Sequence, residues 1–579
     1  MRTLNAIALG ALLVIEPAWA AEWNLTDGAG VHPNYRGPVP QKSDVIFSAR
    51  FKRDESAAVA KSFGATRIEW VYATDESWVK SLEQVAPWFG GTLNSNAPLP
   101  AGSGFATDFD GTPIVAPWMK SWGAKWVTTA SPETRKVMAE QLERYLSWGA
   151  DSIQFDDPLL QAYASQYGGG DFNPATQAGF KEWLSRHPDK AASRAAGLSD
   201  FNGDYRAFLK AKHGVKDAAD YAKRFRDFPS TPLWLDYVQS TVEGYYAEVR
   251  RRLAQNGQKP VALSMNISNL FEPDESNRAF FLTGFADYLM AETPINSTAQ
   301  MVSQIATARS LRLAFAPSIK PADLPRNRVA VATLYALGAP PVVPWDVFTG
   351  TEKRYFGTPE EYGDLYRFAR SQERWLDGFE SAALVGVAVA VDKFQAETTR
   401  AVVKKLIERH IPFAYVPVGG RSELAADTGR LRSLKLLVLA NDDADYPPAE
   451  LQAMAAAGMR RVRAAQVDDA VLEPLRPFVV APGGQNVRLY TRAARAAPAR
   501  VAVHVVDEAR GDQKQPGGDC KRRLGLRRPL LGDFRIEQAT WATPAGSVKL
   551  TPQDDGKSYV YFSLPSCPVW GVLEMDLRR

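Results

Sequence analysis

The segment Gly149-Ala150-Asp151-Ser152-Ile153-Gln154-Phe155-Asp156-Asp157-Pro158 decides how the chain is read. Residues 152–155 are short and apolar enough for a buried strand. Upstream, Ser131-Pro132 opens an amphipathic stretch over 133–148, with serine suited to the N-cap and proline to the first helical position. Gly149 suits the place just past that helix. Downstream, two carboxylates stand side by side before Pro158. Helix, glycine, strand and turn in this order are one repeat of a parallel α/β sheet.

The same alternation runs from Ser43 to about Phe379. Strands are expected at 44–49, 65–72, 89–94, 152–155, 261–267, 288–291, 313–317 and 341–344. Eight strands with helices between them is the count of a (β/α)8 TIM barrel, assigned here to residues 21–380. Long inserts follow the third and fourth strands. Loops after barrel strands build the active face, so these inserts should shape a cleft. From Leu384 a second alternation begins, with an apolar run at 385–391, helices over 398–410 and 448–457, and strands at 412–416 and 434–440. It reads as a small open α/β domain over 381–478. No G-x-G-x-x-G follows its first strand, so no nucleotide site is expected, and packing or homo-oligomer formation is its expected role. From about Val479 the period becomes two, with strands at 501–506 and 559–562, which suggests a C-terminal β-sandwich over 479–579.

Met1 and Arg2 are followed by an apolar run over 6–15 and by Ala18-Trp19-Ala20. This is the pattern of a secretory signal peptide, residues 1–20. The run is shorter than the ~20 residues that span a bilayer. A periplasmic or secreted protein without membrane insertion is expected. Cys520 and Cys567 should then pair in an oxidising compartment. A net charge of +4 on 579 residues gives no case for a nucleic-acid partner. There is no C-x-x-C and no Cys/His cluster, and the five histidines lie away from the strand ends. That argues against a metal, a cofactor or a Ser-His-Asp hydrolase.

Chemistry is therefore sought in carboxylates. A glycosidic bond is usually cut by two of them, one donating a proton to the leaving oxygen and the other acting at the anomeric carbon. The fourth strand ends in Asp156-Asp157, and the sixth ends as Met290-Ala291-Glu292-Thr293-Pro294. These three are the candidate catalytic groups, with Asp157 or Asp156 as nucleophile or base and Glu292 as general acid. Candidate sugar-binding residues are Glu69 in the second strand, Trp345 and Asp346 at the end of the eighth, and Asn94, Asn266 and Lys320 at or near other strand ends. Eleven of the fifteen tryptophans lie between Trp70 and Trp375. Trp118, with Trp122 and Trp126, falls in a turn-rich segment where an indole could stack on a sugar ring.

On these residues the chain resembles glycoside-hydrolase-like barrels, in which a "DGI.FDD" pattern closes the fourth strand. The domain order is similar to that of family 42 β-galactosidases, a barrel, then a glutamine-amidotransferase-like (flavodoxin-like) α/β domain, then a short β-domain. Phe180-Lys181-Glu182-Trp183-Leu184 and the stretch from Lys259 to Ser268 add to the likeness. Family 42 enzymes carry Asn-Glu at the fourth strand and Glu at the seventh. Here those places hold Asp156-Asp157 and Pro317, Ser318 and Lys320, so that pair is not carried over. A fourth-strand Asp with a sixth-strand carboxylate looks more like α-galactosidase-type barrels, which implies an Asp nucleophile and a sixth-strand acid/base. The expected function is a secreted glycoside hydrolase acting on an oligo- or polysaccharide. The alternatives are a non-catalytic glycan-binding or polysaccharide-assembly protein and a lyase or transferase using the same face.

Overall fold

In the computed structural model the described residues are 24–25 and 38–578, apart from 95–103, 168, 188, 200, 256–258, 272–278, 350–352, 421–423, 427–430, 433, 495–498, 512–519, 521 and 532. The expected signal peptide lies outside them. Seven parallel strands hydrogen-bond in sequence order: Ile46–Ser48, Arg67–Val71, Phe89–Asn94, Ser152–Asp156, Ala262–Met265, Tyr288–Leu289 and Ala314–Phe315. The sheet is curled. The Val342 N–H donates to the Pro317 carbonyl beyond the seventh strand (2.9 Å), and the Val343 N–H to the Ile46 carbonyl of the first (2.8 Å). The sixth and seventh strands resume as Glu292–Pro294 and Ser318–Lys320, paired in parallel. Past Val343 the chain forms Trp345–Phe348, antiparallel to Arg354–Phe356.

The inside of the curl is not uniformly apolar. All five residues of Arg67–Val71 are buried, and a helix-covered parallel sheet is expected to bury both faces. Arg67 and Glu69 point into the interior and pair there (Nη2–Oε1 2.7 Å). Ser152 Oγ and Tyr288 Oη donate to the other Glu69 oxygen at 2.9 and 2.7 Å. Gly90 makes room for this carboxylate, since a Cβ there would stand 2.5 Å from Glu69 Oε2.

Two aspartates sit at the amino ends of strands and tie the sheet together. Asp151 accepts from the Phe89 N–H (2.9 Å) and pairs with Lys259 (2.5 Å). Asp287 accepts from the Leu263 N–H (2.7 Å) and pairs with Arg250 (2.8 Å). The helix before the fourth strand spans Pro132–Ser147. Its N-cap Ser131 is extended but makes no side-chain cap bond. Gly149 beyond it has φ +89°, the left-handed region that favours glycine.

The insert after the third strand carries short antiparallel bridges (Phe105↔Val127, Val115↔Lys125) and a 3-10 turn at Pro117–Trp122. Among the described residues the insert after the fourth contains six α-helices, from Gln161–Gln166 to Thr231–Gln255. They pack around aromatic rings, among them Tyr205 on Trp234 at 4.4 Å and Phe180 on Trp234 at 5.0 Å.

Beyond residue 384 a second parallel sheet orders its strands as Phe413–Val418, Val385–Ala390, Leu436–Leu439 and Arg460–Arg463. This 2-1-3-4 order is that of flavodoxin-like sheets. The rest is antiparallel. A seven-stranded sheet joins Asn24–Leu25, Phe379–Ala383, Val487–Ala494, Arg500–Asp507, Trp570–Arg578, Arg535–Thr543 and Gly546–Leu550. A four-stranded sheet joins Phe478–Ala481, Arg523–Arg527, Tyr559–Ser563 and Gln553–Asp554. Phe379–Ala383 therefore belongs to the C-terminal antiparallel sheet, although it directly follows the curled one. Cys520 and Cys567 are disulfide-bonded, with Cα atoms 5.4 Å apart.

Candidate active site

The carboxyl ends of the curled sheet bring Asp156 and Glu292 into one hydrogen-bonded chain. Asn266, just past the fifth strand, donates from Nδ2 to Asp156 Oδ1 at 2.8 Å. Ser268 Oγ lies 2.8 Å from Asn266 Oδ1 and 2.9 Å from Glu292 Oε2. Tyr72, just past the second strand, donates its hydroxyl to Asp156 Oδ2. Trp70 Nε1 in turn donates to Tyr72 Oη at 3.2 Å. Arg50, beyond the first strand, is 4% exposed. It stacks 3.6 Å over the Trp70 ring and brings Nη2 to 3.9 Å from Glu292 Oε1.

Proton counting along this chain gives it a direction. Tyr72 accepts from Trp70, so its own proton goes to Asp156. Asn266 gives an N–H to Asp156, so its Oδ1 accepts, and the donor is the Ser268 hydroxyl. That hydroxyl has one proton. Ser268 Oγ is placed as donor to both Asn266 Oδ1 and Glu292 Oε2, so its single proton serves one of the two at a time. Burial, then the negative charge of Glu292, push the Asp156 carboxyl above its usual range. Tyr72, Asn266 and Arg50 oppose that shift. The donors thus converge on Asp156 and favour its ionised form.

Asp157 turns away into the following loop with φ +53°. It accepts from Trp118 Nε1 at 3.3 Å. Trp70 and Asp346 share this left-handed conformation, at φ +54° and +53°. Such positions are costly for non-glycine residues and cluster at functional rims. Trp118 and Trp122 are 48% and 51% exposed. Trp118 packs on Tyr163 at 4.9 Å, and Trp122 on Phe348 at 5.5 Å. The 3-10 turn that carries both indoles thus reaches from the end of the fourth strand to the Trp345–Phe348 strand. Phe51 and Phe356, both 42% exposed, border the same rim. Four of the five exposed large apolar side chains among the described residues lie here, and clustered exposed apolar side chains are a feature of binding surfaces.

Several sequence expectations place differently. Glu69 is fully buried and saturated by Arg67, Ser152 and Tyr288, so it is an interior ion pair rather than a sugar ligand. Trp345 is 4% exposed. It packs between Phe47 (5.0 Å) and Phe356 (5.7 Å), within the core. Asp346 is fully buried; it binds Arg53 through two hydrogen bonds of 2.9 Å and also Arg354, so it holds arginines rather than sugar. Trp126 is buried, unlike its two neighbours. Asn266 joins the carboxylates directly. Asn94 stands in register beside Asp156, and Lys320 is exposed at the end of its strand. Tyr72, Ser268 and Arg50 were not anticipated. Tyr72 closes a stretch expected as strand, which was the signal available for it.

No family model matches the chain. Over 285 residues it is 27% identical to an alpha-agarase of Thalassotalea agarivorans, covering 46% of this chain and 19% of that protein. Over 287 residues it is 26% identical to an alpha-agarase of Alteromonas agarilytica, covering 46% and 20%. The chain thus spans about a fifth of the length of the curated relatives it matches. Among solved structures, alpha-L-fucosidase isoenzyme 2 from Paenibacillus thiaminolyticus overlays with a TM-score of 0.59 at 10% identity, across 93% of this chain and 100% of that one. This is a likeness of fold. The beta-galactosidase of Rahnella sp. R3 overlays at a TM-score of 0.47 and 11% identity, across 94% and 100%, which carries no argument for the family 42 resemblance. The chain shares a glycosidase-like fold and has alpha-agarases among its sequence relatives.

Proposed function

We propose that the chain is an exported glycoside hydrolase acting on a polysaccharide or its oligosaccharides. Its catalytic unit is a (β/α)8 TIM barrel over residues 21–380, followed by an α/β domain at 381–478 and a β-domain at 479–579. The observation that carries this reading is the hydrogen-bonded chain Asp156–Asn266–Ser268–Glu292, which links two carboxyls at the ends of the fourth and sixth strands. In the reaction, Glu292 gives its proton to the departing glycosidic oxygen. Asp156 acts at the anomeric carbon, directly or by taking a proton from the attacking water. Asp157 fixes Trp118, whose exposed ring offers a stacking face to a sugar. The two sequence relatives are named for agar, so agar-type galactans head the panel of polymers to try.

The test is release of reducing ends from that panel by the purified protein, with Glu292→Gln as control. Removing the acid should lower turnover by about 10²–10⁴-fold while binding persists. Unchanged turnover would remove Glu292 from the mechanism. Binding without any new reducing ends would favour the non-catalytic reading instead.

A further inference from the structure

Beside the carboxyl pair three arginines, Arg50, Arg53 and Arg354, crowd together on the rim. Asp346 bonds both Arg53 and Arg354. Arg50 lies close enough that burial, and then the like charges of Arg50 and Arg53, depress the Arg354 guanidinium against the pull of Asp346. The Arg50 and Arg354 guanidiniums lie 5.8 and 4.1 Å from the centre of the same Phe348 ring. Phe348 in turn packs on Trp122. Arg50 and Arg354 side chains are 5% and 13% exposed. Yet Arg50 Nε, Arg50 Nη2 and Arg354 Nη1 have no hydrogen-bond partner among the described residues. Buried guanidinium N–H groups without acceptors are costly, and clustering like charges adds to the cost. An anionic ligand removes both penalties, and a guanidinium fork matches the planar oxygens of a carboxylate or the oxygens of a sulfate.

We propose that the subsite next to Asp156 and Glu292 takes a sugar bearing an anionic substituent, a uronate carboxylate or a sulfate ester, held by Arg50 and Arg354 against the Phe348–Trp122 wall. This rests on the hydrolase reading for the position of the subsite. The substrate class is then an acidic glycan. The neutral fraction of an agar-type polymer would lack the group these arginines receive.

The experiment compares matched polymers on the full chain: polygalacturonate with its carboxyl-reduced form, iota-carrageenan with its desulfated form, and agarose. Retardation in affinity gels measures binding, and reducing ends measure cleavage separately. The expected result is binding of one charged polymer at least about tenfold tighter than its neutralised form, weakening as salt rises. The charged pair that responds identifies the substituent. Arg354→Gln should erase most of that preference; because it also removes a partner of buried Asp346, its melting temperature is measured alongside. Should that variant misfold, Arg354→Lys, which keeps the charge and loses the guanidinium fork, and the salt dependence of the wild type keep the comparison. Equal binding of both members of each pair, or no binding of any charged polymer, overturns the inference. Cleavage of agarose alone would overturn it and leave the hydrolase standing. Selective binding without cleavage would support it and sink the hydrolase.

Discussion

Asp151 opens the fourth strand and Asp156 closes it; Asp287 and Glu292 stand at the same spacing around the sixth. The two rims use these acids differently. At the amino rim each aspartate receives a backbone N–H from the neighbouring strand and a lysine or arginine, so its capacity is met within the scaffold. At the carboxyl rim the acids receive a phenol, an amide and a hydroxyl, with Arg50 nearby. None of those partners is a sheet-forming backbone group. On these two strands the scaffold contacts thus stand at one end and the proposed chemistry at the other, as expected for barrels that build their sites on the loops after the strands. An acid at a strand end is informative only once its partners are known.

Exchanging the two kinds of acid should break or sharpen this contrast. The largest effect is expected for Asp156→Asn, a loss of about 10³-fold or more in kcat on a cleaved substrate with the melting temperature nearly unmoved. Asp287→Ala should do the reverse. Removing one partner of its buried pair with Arg250 costs about 3 kcal/mol, read by denaturant unfolding. Its kcat per folded molecule should stay close to wild type. If Asp287→Ala proved stable and inactive, the division between the rims would be wrong. A smaller effect belongs to the stacking wall. Trp118→Ala should raise KM about tenfold or less and change kcat less, if the indole stacks on the sugar as proposed and stays clear of the reacting bond. Equal loss in kcat and kcat/KM would place Trp118 in the transition state instead.

The strand ends were legible because an apolar run that stops at a carboxylate has few structural explanations, as at 152–156 and 288–292. The interior of the curl was legible in part. Arg67 and Glu69 lie two residues apart on one strand face, which announces their pairing. Glu69 was nonetheless expected to bind sugar, and the structure shows the pair saturated, with nothing left to offer. Trp345 and Asp346 were misplaced for a related reason. Aromatic and acidic residues at a strand end look alike in sequence whether they face the cleft or pack beneath it, and only Phe47, Phe356, Arg53 and Arg354 decide the matter. Ser268 and Tyr72 left little trace because a hydroxyl in a loop has many uses. Their role arises from convergence of the second, fifth and sixth strand ends, and no local pattern encodes it.

Tyr72 tests the direction of the proton chain with the gentlest change. Its hydroxyl donates to Asp156 and so favours the ionised carboxylate, against burial and the charge of Glu292, which favour protonation. If Asp156 must be ionised to act, activity falls as pH drops through its raised pKa. Tyr72→Phe keeps the ring against Phe51, 5.6 Å away, and deletes only the donor. The acid limb of kcat/KM should then move to higher pH, by up to about one unit, while the plateau rate changes only a few-fold. The opposite shift would mean that Tyr72 accepts rather than donates and that Asp156 carries the proton. The roles of Asp156 and Glu292 would then exchange, although both would remain in the site. An unmoved limb would assign the titration to a group other than Asp156, and the hydrogen-bond chain would no longer explain which carboxyl is the acid.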